Sequence, residues 1–91
     1  MFVANPEVAC TETDYGIVLL DKRSGKYWNL NTTGALVWRS ILETGGLDHA
    51  VSTLLRDYNV EHETVIADVH NVAAKLTEAG VITNDRVSEL P

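Results

Sequence analysis

The hydrophobic pattern changes from strand-like to helical within residues 26–38, and almost no loop separates the two patterns. Large and aromatic residues at 26–30 follow a turn and suit a β-strand, whereas the apolar residues at 35–42 recur at helical spacing. Asn31 lies between them, and its side chain can accept a hydrogen bond from a free amide at the start of a helix. We interpret the strand at 26–30 as an edge strand whose unpaired backbone is the working surface.

Two further strands are predicted before this one, at residues 8–13 and 17–20. Turn-forming residues at 14–16 and 22–25 separate the three segments, as expected for successive hairpins. If strands that follow one another in sequence are neighbours, residues 17–20 form the centre of the sheet and residues 26–30 an open edge. The apolar run at 17–20 is typical of a strand covered on both faces.

Three helices follow, predicted at residues 32–42, 47–58 and 64–79. Glycines after the first and third helices suit left-handed caps, and residues 81–83 suit a short final strand. The predicted fold class is α+β, a winged helix-turn-helix with a three-stranded antiparallel sheet followed by three helices.

The domain prediction is a single unit over residues 1–91 with an ordered core at about 7–83. The first seven residues are expected to be a loose lead-in, because Pro6 discourages strand pairing before residue 8. The polar residues 84–91 are expected to fray.

The charge balance argues against a nucleic-acid partner. The 91 residues carry 13 acidic and 7 basic side chains, a formal net charge of −6, whereas phosphate contacts need a basic face. No signal peptide or membrane span is apparent, and the predicted location is cytoplasmic. The single cysteine, Cys10, rules out an internal disulfide and is expected to be a buried strand residue.

No residue pattern predicts catalysis, a metal site or a cofactor. The three histidines, His49, His62 and His70, have no recognised ligand spacing, and no serine lies in a nucleophile-elbow context. The sequence therefore predicts a protein that is not an enzyme. The remaining function is binding of another chain. An extended peptide can add to an open sheet edge, and the wide apolar arc of the third helix can contact its side chains.

The same residues resemble the PqqD-like family, the leader-peptide recognition elements of ribosomally made, modified peptides. The resemblance is spread over residues 21–82. It includes Tyr-Trp-Asn-Leu-Asn at 27–31, Thr-Gly-Ala-Leu-Val-Trp at 33–38, Arg-Asp-Tyr at 56–58 and Leu-Thr-Glu-Ala-Gly-Val-Ile at 76–82. A small, free-standing, acidic chain such as this one looks most like the leader-peptide recognition elements of lasso-peptide biosynthesis.

The resemblance implies that a leader peptide adds as a strand to the third strand and lies against the third helix. It also implies partners, a leader peptidase and an asparagine-synthetase-like cyclase, and leaders with a Tyr-x-x-Pro-x-Leu type of motif. The implied peptide-binding residues come from the strand and from the helix: Lys26, Tyr27, Trp28, Asn29, Leu30, Asp68, Val69, Val72, Ala73 and Leu76. Asp68 is included because an acidic rim would attract a basic leader.

Three alternatives stay open. A PqqD chaperone would present the precursor of pyrroloquinoline quinone to a radical enzyme, a winged-helix regulator would bind DNA, and a scaffold subunit would only support a larger synthetase. The second is disfavoured because Lys75 is the one basic residue on the third helix. The sequence leaves open which precursor is bound, which enzyme receives it, the oligomeric state, and which third-helix residues line a groove.

Overall fold

Eight elements make up the fold in the computed structural model, which describes residues 1–14 and 16–84. Five are strands: β1 (Phe2–Ala4), β2 (Val8–Thr13), β3 (Gly16–Asp21), β4 (Tyr27–Leu30) and β5 (Ile82–Asn84). Three are helices: α1 (Thr32–Thr44), α2 (Asp48–Asp57) and α3 (His62–Ala79). The predicted α+β class, with three antiparallel strands followed by three helices, is confirmed.

The main sheet has the order β2-β3-β4, and both pairings are antiparallel. The prediction that the second of these strands is central and the third lies at an edge is therefore confirmed. The prediction that β3 is covered on both faces is wrong. Ile17 and Leu19 are buried against the helices, whereas Leu20 is exposed on the other face.

A second sheet, β1 paired with β5, was not predicted in this form. Phe2 lies opposite Asn84, and Ala4 lies opposite Ile82. The expectation of a loose lead-in is therefore wrong for Phe2–Ala4. The predicted final strand is confirmed, one residue later than expected, and the predicted tail lies outside the described residues beyond Asn84.

Capping residues mark the start of α1 and the ends of α1 and α3. The Asn31 side chain accepts a hydrogen bond from the Gly34 amide at 2.9 Å, which caps α1 as predicted. Gly45 and Gly80 end α1 and α3 with positive φ. α3 begins at His62, two residues before the predicted start.

The core lies where α1 crosses the other two helices and the inner face of the main sheet. Trp38, Val37 and Ile41 of α1 are buried. The prediction that Cys10 is buried is wrong, because its side chain is exposed on β2, an edge strand of the main sheet. Within the described residues, no helix is both long and apolar enough to cross a membrane.

Candidate functional site

The outer edge of β4 has no strand partner among the described residues. The Asp21 amide donates to the Lys26 carbonyl at 2.9 Å, which fixes the hydrogen-bonding phase of the β3–β4 hairpin. Because pairing alternates along an antiparallel ladder, Trp28 and Leu30 bond to β3, whereas the N–H and C=O groups of Tyr27 and Asn29 point outward. This edge offers two sets of backbone groups to an added strand.

The side chains of β4 alternate as predicted. Tyr27 is 65% exposed and Asn29 is also exposed, on the face away from the helices. Trp28 and Leu30 are half-buried and pack against the hydrophobic core. An added strand would thus place every second side chain beside Trp28 and Leu30.

A groove of about 350 Å³ separates β4 from α3. One wall is formed by Trp28, Asn29 and Leu30, and its end by Asn31 and Gly34. The other wall is formed by four residues of α3, Val72, Lys75, Leu76 and Ala79. The open backbone edge and an apolar groove therefore lie side by side.

The predicted α3 residues divide into two groups. Val72 is half-buried and lines the groove, and Leu76 lines it although little of its surface is exposed. Val69, with 0% exposure, and Ala73, with 3%, belong to the core behind the groove. Their position fits a supporting role better than contact with a ligand.

Sequence reasoning missed Lys75 and Ala79 as groove residues. Both belong to α3 and line the groove opposite β4. The signal was present, since residues 72, 75, 76 and 79 share one helix face. The sequence does not determine how α3 is rotated about its axis, and therefore does not show that this face points toward β4.

Asp68 lies beyond the end of β4. It lines a second cavity of about 270 Å³, which also contains Asn31 and Thr33 from the start of α1 and Val72 and Lys75 from α3. The groove therefore continues past Leu30, with a lysine along its length and a carboxylate at its far end. Lys26, at the opposite end, is exposed next to the first residue of β4.

The outer edge of β2 is also open in the main sheet. The Lys22 amide donates to the Glu7 carbonyl at 3.0 Å, so by the same alternation Cys10 and Glu12 point their backbone groups outward. The Val8 amide instead donates to the Asn5 carbonyl at 3.1 Å. The groove between β4 and α3 includes no residue of β2, and the side chains from Cys10 to Thr13 are exposed. The two edges differ in that the groove formed with α3 lies beside β4.

The described residues do not form a metal-binding cluster. Residues 1–14 and 16–84 contain no group of three or more His, Cys, Asp or Glu side chains placed to hold an ion. The His70 ring instead contacts the Ile66 carbonyl of its own helix at 2.9 Å.

Residues 16–82 match the family model described as coenzyme PQQ synthesis protein D, PqqD. The chain belongs to the PqqD family. The PqqD match begins with β3 and ends at the first residue of β5, so it contains both walls of the groove. A search of curated proteins gives no match.

Two solved structures resemble this PqqD-family chain. One is a lasso peptide synthetase B1 complexed with the leader peptide, at 37% identity and a TM-score of 0.80, covering 89% of this chain and 95% of that chain. The other is TbiB1 in complex with the TbiA(beta) leader peptide, at 22% identity and a TM-score of 0.81, covering 91% of this chain and 96% of that one. At 22% identity, the second likeness bears on the fold alone.

Proposed function

We propose that this protein binds the leader segment of a ribosomally made precursor peptide and delivers it to modifying enzymes of lasso-peptide biosynthesis. The leader adds as a strand to β4 and lies in the groove against α3. The role is binding rather than catalysis. The observation that carries the proposal is the outward-facing backbone of Tyr27 and Asn29 beside an apolar groove.

The chemistry of this site suits an extended peptide. Backbone hydrogen bonds contribute roughly 0.5–1.5 kcal/mol each whatever the guest sequence. Selectivity then comes from alternate side chains that reach Trp28, Leu30 and Val72. The 37% identical lasso peptide synthetase B1, solved with a leader peptide, supports a leader as the guest.

The recipients we propose are a leader peptidase and a cyclase of the same pathway. A domain that holds the leader leaves the rest of the precursor free for a second protein. Adding this protein to the peptidase and precursor should accelerate cleavage. A rate that does not depend on this protein would contradict delivery while leaving leader binding intact.

Binding is tested by fluorescence anisotropy with the labelled leader peptide of the lasso peptide synthetase B1 complex. Asn29→Pro should weaken binding at least tenfold, since it removes one outward donor and places a ring where the guest strand would approach. The β3–β4 ladder should survive, because this N–H does not point toward β3, and circular dichroism checks the fold.

The matched control is Cys10→Pro. It removes an outward donor from the opposite edge of the same sheet, away from the groove between β4 and α3. Its affinity should stay within twofold of the wild type. Equal losses in both variants, or no loss in Asn29→Pro, would contradict strand addition at β4.

The second candidate is a PqqD chaperone for the precursor of pyrroloquinoline quinone, which the description of the matching family favours. The same titration with that precursor separates the two functions. We expect the lasso leader to bind more tightly, and the reverse order would favour the second candidate.

A further inference from the structure

A pocket of about 230 Å³ lies at the junction of the three helices, outside the groove between β4 and α3. Leu54 and Val65 form its buried floor. Tyr58 and Val60 stand at its sides, 48% and 45% exposed. Large apolar side chains exposed around a cavity with an apolar floor indicate a place for a ligand side chain.

This pocket is continuous with the groove. Thr33 and Asp68 line both the pocket and the cavity of about 270 Å³. That cavity in turn shares Asn31, Val72 and Lys75 with the groove beside β4. One path therefore leads from the open strand edge, past the start of α1, to the helix junction.

A guest strand cannot continue its pairing along this path, because the chain leaves β4 at Leu30 and enters α1 at Thr32. Beyond that point the guest passes Thr33 and Asp68 and meets the pocket. The Asp68 carboxylate is exposed, and no hydrogen bond or ion pair joins it to another residue in the described ranges 1–14 and 16–84.

We infer that the pocket between Leu54, Tyr58, Val60 and Val65 binds one large apolar or aromatic side chain of the leader, just outside its strand-pairing segment. A lysine or arginine next to that side chain pairs with Asp68. The inference rests on the proposed function and adds to it a second anchoring point and the kind of residue that occupies it. It also explains why exposed Tyr58 and Val60 surround the cavity.

Val60→Asp tests the pocket, and Val3→Asp is its control. Both valines are 45% exposed, but Val3 lies on β1, away from the path. The probe is the labelled leader peptide of the lasso peptide synthetase B1 complex, used whole and trimmed from either end outside its strand-pairing segment. With the whole peptide, Val60→Asp should raise Kd at least fivefold, and Val3→Asp should leave it within twofold of wild type.

Trimming one end, and not the other, should remove the difference between Val60→Asp and wild type, because the pocket then has no occupant. Val60→Asp affinity equal to wild type, while Asn29→Pro still weakens binding, would overturn the pocket and leave the proposed function standing. A Val60→Asp loss that persists with both trimmed peptides would also overturn it. Absence of binding by the wild-type protein would overturn both proposals.

Discussion

At the scale of single residues, Gly16 controls how β3 meets the end of β4. Its φ is +154°, and a Cβ placed there would lie 2.0 Å from the Leu30 carbonyl oxygen. The neighbour is backbone rather than a flexible side chain, so the strand itself would have to move. The approach of the two strands therefore requires a residue without a Cβ.

Gly16→Ala should lower the free energy of unfolding by about 3 kcal/mol or more, from overpacking added to backbone strain. Gly25→Ala is the control, since φ is +77° but no atom lies within 4 Å of the new Cβ. It should cost only about 1 kcal/mol. Urea unfolding measures both, and similar losses would show that the close approach to Leu30 is unimportant.

Asp21 illustrates how polar side chains shape the β3–β4 turn. Its carboxylate accepts from the Arg23 amide at 2.9 Å and from the Ser24 hydroxyl at 3.0 Å. The Arg23 amide, with help from Ser24, lowers the pKa of Asp21 below its ordinary value of 3.8. Because folding lowers this pKa, the charged carboxylate stabilises the turn at pH values above 3.8. This stabilisation is lost as the pH falls and the carboxylate is protonated.

At the scale of elements, a side chain of α1 caps α2. The Ser40 hydroxyl is fully buried, donates to the Gly46 carbonyl at 2.7 Å and accepts from the Ala50 amide at 3.3 Å. Leu47, at the N-cap of α2, makes no capping bond of its own. Ser40 thus supplies from a neighbouring helix what α2 lacks locally.

Ser40→Ala should destabilise the fold by about 1–3 kcal/mol, because it leaves buried polar groups without partners. Ser52→Ala on the exposed face of α2 is the control and should change stability little. Thermal unfolding monitored by circular dichroism compares the two. If Ser52→Ala is as costly as Ser40→Ala, the cap contributes nothing specific.

The groove wall on α3 gives a prediction for affinity rather than stability. Val72→Asp places a charge beside Trp28 and Leu30 and should weaken leader binding at least tenfold, since a charged, hydrated carboxylate replaces an apolar contact. Ala74→Asp, on an exposed position of the same helix, is the control. Anisotropy titration of both folded variants measures the effect, and equal affinities would count against the groove.

Sequence reasoning succeeded where neighbours in sequence are neighbours in space. The β2–β3–β4 hairpins, the Asn31 cap and the inward-facing Trp28 all follow from local pattern and turn chemistry. The β1–β5 pair was out of reach because Phe2–Ala4 is short and its partner lies about 80 residues along the chain. Ser40 was missed for a related reason, since its role depends on how α1 crosses α2.

At the scale of the whole molecule, β1 and β5 close the fold beside α1 and α3. The Phe2 amide donates to the Gly45 carbonyl at 2.7 Å, and the Asn5 amide to the Val81 carbonyl at 2.9 Å. The Phe2 side chain packs against the hydrophobic core. These contacts lie outside both walls of the groove.

Removal of Phe2–Ala4 should lower the free energy of unfolding by about 2 kcal/mol, from lost apolar burial and hydrogen bonds. For a domain of this size the Tm should fall by roughly 8–16 °C. Below the new Tm, leader affinity should stay within twofold of the full chain. Val3→Ala, whose side chain is exposed, is the control for stability.

The register that places Phe2 opposite Asn84 also brings the first and the last strand of the described residues together. Adjacent strands lie about 5 Å apart, so the two residues are separated by little more than one such spacing. A unit whose two ends are this close can be inserted into a surface loop of another protein with little distortion of that protein.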